Sequence, residues 1–173
     1  TSDFVYEKYE QGTGKGEFET LPGSYDEKGK VEFLRIFLRD QNSGVLLEIT
    51  YYVYFDCDVI TRSAKLINES TDAIKLHRLM SLQLDLEPSD YVLTTFHGAW
   101  AREMEKQDVK LMPGKVVNAS YTGTSSSRAN PFAMISKAGT NECYGFNLIY
   151  SGNHYEASEI NSFGKLRFVS GIN

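Results

Sequence analysis

The chain has 173 residues, of which 41% are hydrophobic and 24% charged, the size and make-up of one soluble globular domain able to bury a core without staples. Its 18 Lys and Arg against 23 Asp and Glu leave a net charge of -5, which argues against a general affinity for nucleic acid or anionic membranes. It holds no apolar run of about 18 residues, so no segment reads as a bilayer-spanning helix.

Period-2 patterning dominates from the first residues onward. In chain order, strands are predicted over Phe4–Tyr9 and Glu32–Arg39, and then along "GVLLEITYYVYFD". There Val45, Leu47, Ile49, Tyr51, Val53 and Phe55 share one face. Glu48, Thr50, Tyr52 and Tyr54 share the other, an aromatic and polar face suited to cover by another domain or subunit. Val59–Ile67 follows. The stretch "AIKLHRLMSLQLDLEP" (73–88) places Ile74, Leu76, Met80, Leu82, Leu84 and Leu86 toward a core, interrupted only by Arg78, where a bend or bulge is expected. Further strands are predicted over Tyr91–Phe96, Lys115–Tyr121, Phe132–Ser136, Tyr144–Tyr150, Tyr155–Ile160 and Lys165–Val169, with one short helical turn in "WAREMEKQ". The connections "QNSG", "EPSD", "MPGK", "KAGTNE" and "NSFG" carry turn chemistry. Many short strands joined by such turns predict an all-β fold, an antiparallel β-sandwich.

Little in the residues points to chemistry. "GTGKG" (12–16) lacks phosphate-loop spacing and a following helix, and reads as a mobile loop. His77, His97 and His154 have no ligand partner at short spacing, so neither a metal nor a cofactor is expected. Cys57 and Cys143 read as free, partly buried thiols, with a single bridge as the alternative. "NES" at Asn68 and "NAS" at Asn118 fit the glycosylation pattern but read as turn or strand-end residues. Asp56 and Asp58 are near enough in sequence to approach each other, and solvated turn carboxylates are the simpler reading. No catalytic residue is assigned within the chain.

The stretch "HGAWARE" stands out because it gathers His97, Trp100, Arg102 and Glu103 around the single tryptophan. Three readings stay open. It is a structural loop in which Arg102 pairs with Glu103 or a neighbour, an interdomain or intersubunit contact, or a sugar platform. A mutarotase-like enzyme would need a His and Glu pair facing one pocket, and His97 with Glu103 is the local candidate.

The order of motifs adds to this reading. "DCDVITRSAKLINES", "LMSLQLDLEPSDY", "TFHGAWARE", "GTSSSRANPF", "YGFNLIYSGNH" and "RFVSGIN" follow one another in a series that resembles the N-terminal β-sandwich domain of microbial α-galactosidases of glycoside hydrolase family 36. The resemblance runs from about Phe4 to Asn173. It departs at Thr122, where the family usually has arginine, and near Ser127 and Ala129, where it tends to carry histidines. It implies a supersandwich of the galactose mutarotase-like kind. Residues 1–173 would then be a non-catalytic N-terminal domain, truncated at both ends and cut from a larger multidomain chain. Its partners would be a catalytic barrel of the same chain, holding both catalytic aspartates, and further copies in a cytoplasmic homo-oligomer, a tetramer in the parent. The parent would hydrolyse terminal α-galactosides of the melibiose and raffinose type with retention. The alternative is a free-standing carbohydrate-binding module.

Overall fold

The computed structural model describes residues 3–18, 20–124 and 128–173. Ser125, Ser126 and Ser127 of the "GTSSSRANPF" motif lie outside the described residues. Twelve strands and one 3-10 turn are present among the described residues, and the chain divides into two compact units, 1–77 and 78–173.

The first unit is one four-stranded antiparallel sheet, ordered β1 (Phe4–Thr13), β2 (Glu32–Asp40), β3 (Leu46–Tyr54), β4 (Val59–Ile67). Consecutive strands pair with their sequence neighbours, so the sheet is a meander held by local turns. The 3-10 turn Phe55–Cys57 and Asp58, left-handed at φ 53°, join β3 to β4. The face of β3 expected to await another domain is covered by its own chain. Leu46, Thr50 and Tyr52, which share that face by alternation, are buried. The segment after β1 supplies the cover at Tyr52: the Lys15 ammonium sits 4.3 Å from the Tyr52 ring centroid and 4.8 Å from that of Phe18. Burial between the rings pulls the Lys15 amine below its usual range. The "GTGKG" stretch is therefore packed against an aromatic rather than left as a free loop.

The second unit is a sandwich of two antiparallel sheets. One is ordered β10 (Cys143–Asn147), β9 (Ala129–Lys137), β6 (Tyr91–Ala99), β7 (Arg102–Lys110), and the other β11 (His154–Ile160), β12 (Leu166–Ile172), β5 (Leu79–Leu86). Tyr91, Leu93, Ala133 and Ile135 from the first sheet meet Ile160, Leu166 and Phe168 from the second in one core. The rings of Phe146 and Phe168 stack across it at 4.3 Å. Strand β8 (Gly114–Ser120) lies beside β11, with Lys115 bridged to Glu159 at 2.8 Å.

Strand β5 confirms part of the long pattern and corrects the rest. Leu82 and Leu86 pack against the core, as the even-numbered alternation requires. The strand begins only at Leu79, however, and Ile74 and Leu76 are 40% and 54% exposed in the preceding coil. Alternation without a neighbouring strand to pair with does not make a strand. The segment predicted as a helical turn is strand β7, because its backbone groups pair with β6 from Val92 to Ala99. Cys57 and Cys143 are free, but exposed rather than partly buried.

Phe168→Ala should therefore cost about 3–5 kcal/mol, the range for deleting a fully buried ring. Leu76→Ala should stay within about 0.5 kcal/mol. Urea titration of the two variants checks both, and equal losses would mean the core is drawn in the wrong place.

Candidate interaction site at a hairpin tip

"HGAWARE" is the tip of the β6–β7 hairpin. Ala99 pairs with Arg102 across a two-residue turn made of Trp100 and Ala101, and Ala101 takes the left-handed conformation at φ 61°, the position at which a type II turn needs positive φ. The register slips between His97 and Ala99, since His97 pairs with Glu105. The extra residue is on β7, and Met104 absorbs it at φ 63°. Gly98 is required opposite this bulge. A β-carbon there would stand 2.2 Å from the Arg102 carbonyl oxygen and 2.8 Å from Glu103 Cα.

The bulge sorts the four candidate side chains. The Glu103 carboxylate turns back to accept the Ala101 N–H at 3.0 Å and so braces the turn. Arg102 does not pair with Glu103; it donates to Glu105 at 2.9 Å. His97 Nε2 lies 4.0 Å from the other oxygen of the same carboxylate. Glu105, one of the chain's many carboxylates but not among the four candidates of the tip, is thus the centre of the group. The signal for it was the hairpin register: once the turn is fixed at residues 100 and 101, Glu105 falls opposite His97.

Trp100 itself is 90% exposed. The structural-loop reading, if it means that Trp100 packs against its own strand ends, does not describe this arrangement. His97 and Glu105 are half-exposed and open to solvent on the same strand pair, and Glu103 is committed to the backbone. The tip therefore offers one large unshielded aromatic on a braced turn, with a charged group behind it. That geometry suits contact with another surface better than acid–base chemistry, which needs groups converging on a substrate in a shielded site. At the β3–β4 turn Asp56 faces Lys28 at 3.5 Å, and both side chains are exposed. Among the described residues, no group of three His, Cys, Asp or Glu side chains is placed to hold a metal ion. No helix among them is long and apolar enough to cross a membrane.

A second polar group was missed altogether. His154, Glu156 and Ser158 of β11 are all buried. Glu156 accepts from Asn118 Nδ2 at 2.8 Å and from Ser170 Oγ at 3.2 Å. The other Asn118 amide hydrogen goes to the Asn130 carbonyl at 2.9 Å, so this asparagine is engaged on both sides and is not a free glycosylation acceptor.

The model of the glycosyl hydrolase family 36 N-terminal domain matches residues 1–173. The α-galactosidase Mel36A of Lactobacillus acidophilus is 35% identical over 174 residues, covering 98% of this chain and 24% of that protein. The solved α-galactosidase of Lactobacillus brevis is 34% identical with a TM-score of 0.95, covering 100% of this chain and 24% of that one. A variant of the family 36 α-galactosidase AgaA of Geobacillus stearothermophilus, solved in complex with raffinose, is 33% identical with a TM-score of 0.95, covering 100% of this chain and 25% of that one. The chain spans about a quarter of the length of the relatives it matches.

Gly98→Ala and Trp100→Ala should separate the two halves of the tip. The first forces a β-carbon into backbone and should cost on the order of 1–3 kcal/mol. The second removes an exposed side chain and should change stability by no more than about 0.5 kcal/mol. Thermal melts of both variants check this, and a Trp100→Ala loss as large as that of Gly98→Ala would make the tryptophan a packing residue.

Proposed function

Because the chain belongs to the glycosyl hydrolase family 36 N-terminal domain family, we propose that it is the non-catalytic N-terminal part of an α-galactosidase, where it supports a catalytic barrel and takes part in assembly. The observation that carries this is the full-length match to α-galactosidases that are about four times longer, with the chain aligned at 98% coverage. The parent would act on terminal α-galactosides such as melibiose or raffinose with retention, from aspartates in the barrel. It would work in the cytoplasm as a homo-oligomer, a tetramer in the parent. The domain that residues 1–173 represent would carry no catalytic residue of its own.

Within that reading, His97, Trp100, Arg102 and Glu103 form a contact with the barrel or a neighbouring subunit. An exposed tryptophan on a hairpin braced by Gly98 and Glu103 supports this. Trp and Arg are the side chains most enriched among interface anchors, since each gives large contact area. The second reading, a free-standing carbohydrate-binding module, draws on the same exposed ring, which has the flat apolar face that stacks on galactose.

Three measurements test the proposal. The coding sequence should continue past Asn173 into a barrel with two catalytic aspartates, and a stop codon soon after Asn173 would favour the module. The purified 173-residue chain should release no product from a chromogenic α-galactoside, and turnover lost on mutating Asp56 or Asp58 would sink the non-catalytic assignment. In the full-length enzyme, Trp100→Ala should weaken assembly or activity, read by sedimentation and turnover. An unchanged oligomer with unchanged turnover would remove the tip from the interface.

A further inference from the structure

The buried cluster around Glu156 has no part in the proposed contact, and its geometry sets a separate constraint. Glu156 is 1% exposed. It lies on the inward face of β11, in a row with Ser170 of β12 and Leu82 of β5. The groups around it come from β6 (Leu93, Thr95), β8 (Val116, Asn118), β9 (Ala133) and β12 (Phe168, Ser170). None of these carries a charge. Among the described residues, His154, two residues along the same face, is the titratable group on that strand face beside it, and it is itself fully buried. Among the described residues, a carboxylate in this position has two hydrogen-bond donors and no cation, which is far less than water gives it.

The cluster also joins elements that lie far apart in sequence. Strand β8 grips β11 from both sides. On the solvent side Lys115 meets Glu159 at 2.8 Å, and on the core side Asn118 meets Glu156 at 2.8 Å. Exposed ion pairs of the first kind contribute little. The tie on the core side is shielded from water, and its strength depends on the form that Glu156 takes.

We propose that Asn118, Glu156 and Ser170 form a proton-held latch, in which β8 stays closed on β11 while the Glu156 carboxyl is neutral and loosens when that proton is lost. In the neutral state the acid O–H donates to Ser170 Oγ, which as a hydroxyl can accept as well as donate, and the acid carbonyl accepts from Asn118. In the ionised state both contacts persist only if an unpaired charge stays in the core. Opening β8 relieves this by letting water reach the carboxylate.

The direction of the pH dependence follows. Burial raises the Glu156 carboxyl to about 7, against the opposing pull of the Asn118 and Ser170 hydrogen bonds. When β8 opens, the group returns to its ordinary value of 4.5. Between those two values the closed form holds more protons than the open form. The latch is therefore at full strength below 4.5 and is lost as pH rises through about 7. His154 works in the other direction. Burial lowers it below 6.5, so its charging favours opening on the acid side. That effect is common to variants that keep His154 and cancels when they are compared.

The test uses the 173-residue chain with its glutamate side-chain carboxyls labelled with carbon-13. The Glu156 resonance, assigned by through-bond correlation from its own backbone amide, should titrate near 7. Hydrogen-exchange protection of the β8 amides, taken relative to Glu156→Gln, should fall on the order of 50-fold between about pH 5 and about pH 8. Amides of β9 should show no such relative change. Ser170→Ala, which removes a donor to the carboxylate, should move the Glu156 midpoint upward, and this arm stands even if Glu156→Gln does not fold. A Glu156 midpoint near 4.5, a β8 protection ratio that is flat with pH, or an unmoved midpoint in Ser170→Ala would each overturn the latch.

Discussion

The second unit has to close a core around Phe168, Leu166 and Ile135 while a polar strand runs through it. Phe168 sits opposite Ser158 on one side and Leu84 on the other, and Leu166 opposite Ile160 and Leu86. Cross-strand partners share a face, so burying the two large side chains of β12 commits Ser158 inward, and with it Glu156 and His154 at the same period. The apolar gain at Phe168 and Leu166 therefore outweighs the desolvation of three polar groups on the adjacent strand. Asn118 and Ser170 reduce that desolvation by giving the carboxyl partners. The placement of β8 against β11 follows from the same need.

The hairpin tip obeys the opposite constraint. Its order comes from backbone geometry rather than from burial. Gly98 permits the close approach of Arg102 and Glu103, Ala101 and Met104 accept left-handed conformations, and Glu103 holds the turn by accepting the Ala101 N–H. Left-handed non-glycine residues store strain and persist where the surroundings over-determine them. Here the pairing of β6 with both β7 and β9 does so, as Gly98 also donates to the Arg128 carbonyl. The result is an aromatic side chain held in the open on a backbone that is not free to fold it away.

These two regions differ in how much the amino-acid sequence reveals. The strands were legible because alternation and turn residues both report local geometry: Val59–Ile67 was read with its observed limits, and most others within a few residues. Where alternation had no partner strand, as at Ile74 and Leu76, it misled. Strand β7 was missed because "REMEKQDVK" is polar on nearly every residue, and its exposed positions leave no pattern. The cover over Tyr52 on β3 was expected from another domain or subunit because it comes from Lys15 and Gly16, far upstream, and local periodicity carries no trace of that contact. Glu156 was invisible for a related reason. In "HYEASEI" the more apolar alternate positions are Tyr155 and Ala157, which would turn inward if the strand stood alone. The register with β12 decides otherwise. The family likeness, by contrast, was legible from the order of motifs, which depends on neither face nor register.

The braced tip also bears on what kind of contact Trp100 can make. Binding costs the ordering of whatever segment forms the interface. A flexible loop carrying one tryptophan loses much of the gain from burying the ring. At this tip the turn, the bulge and the Arg102–Glu105 pair are already formed, so the ring meets a partner with only its own rotamers left to fix. Glu105 also accepts from Arg102 and lies near His97, so the charged groups of the two strands pair with one another. In the proposed contact, an exposed indole whose charged neighbours are already paired would suit a partner with an apolar recess and a polar rim.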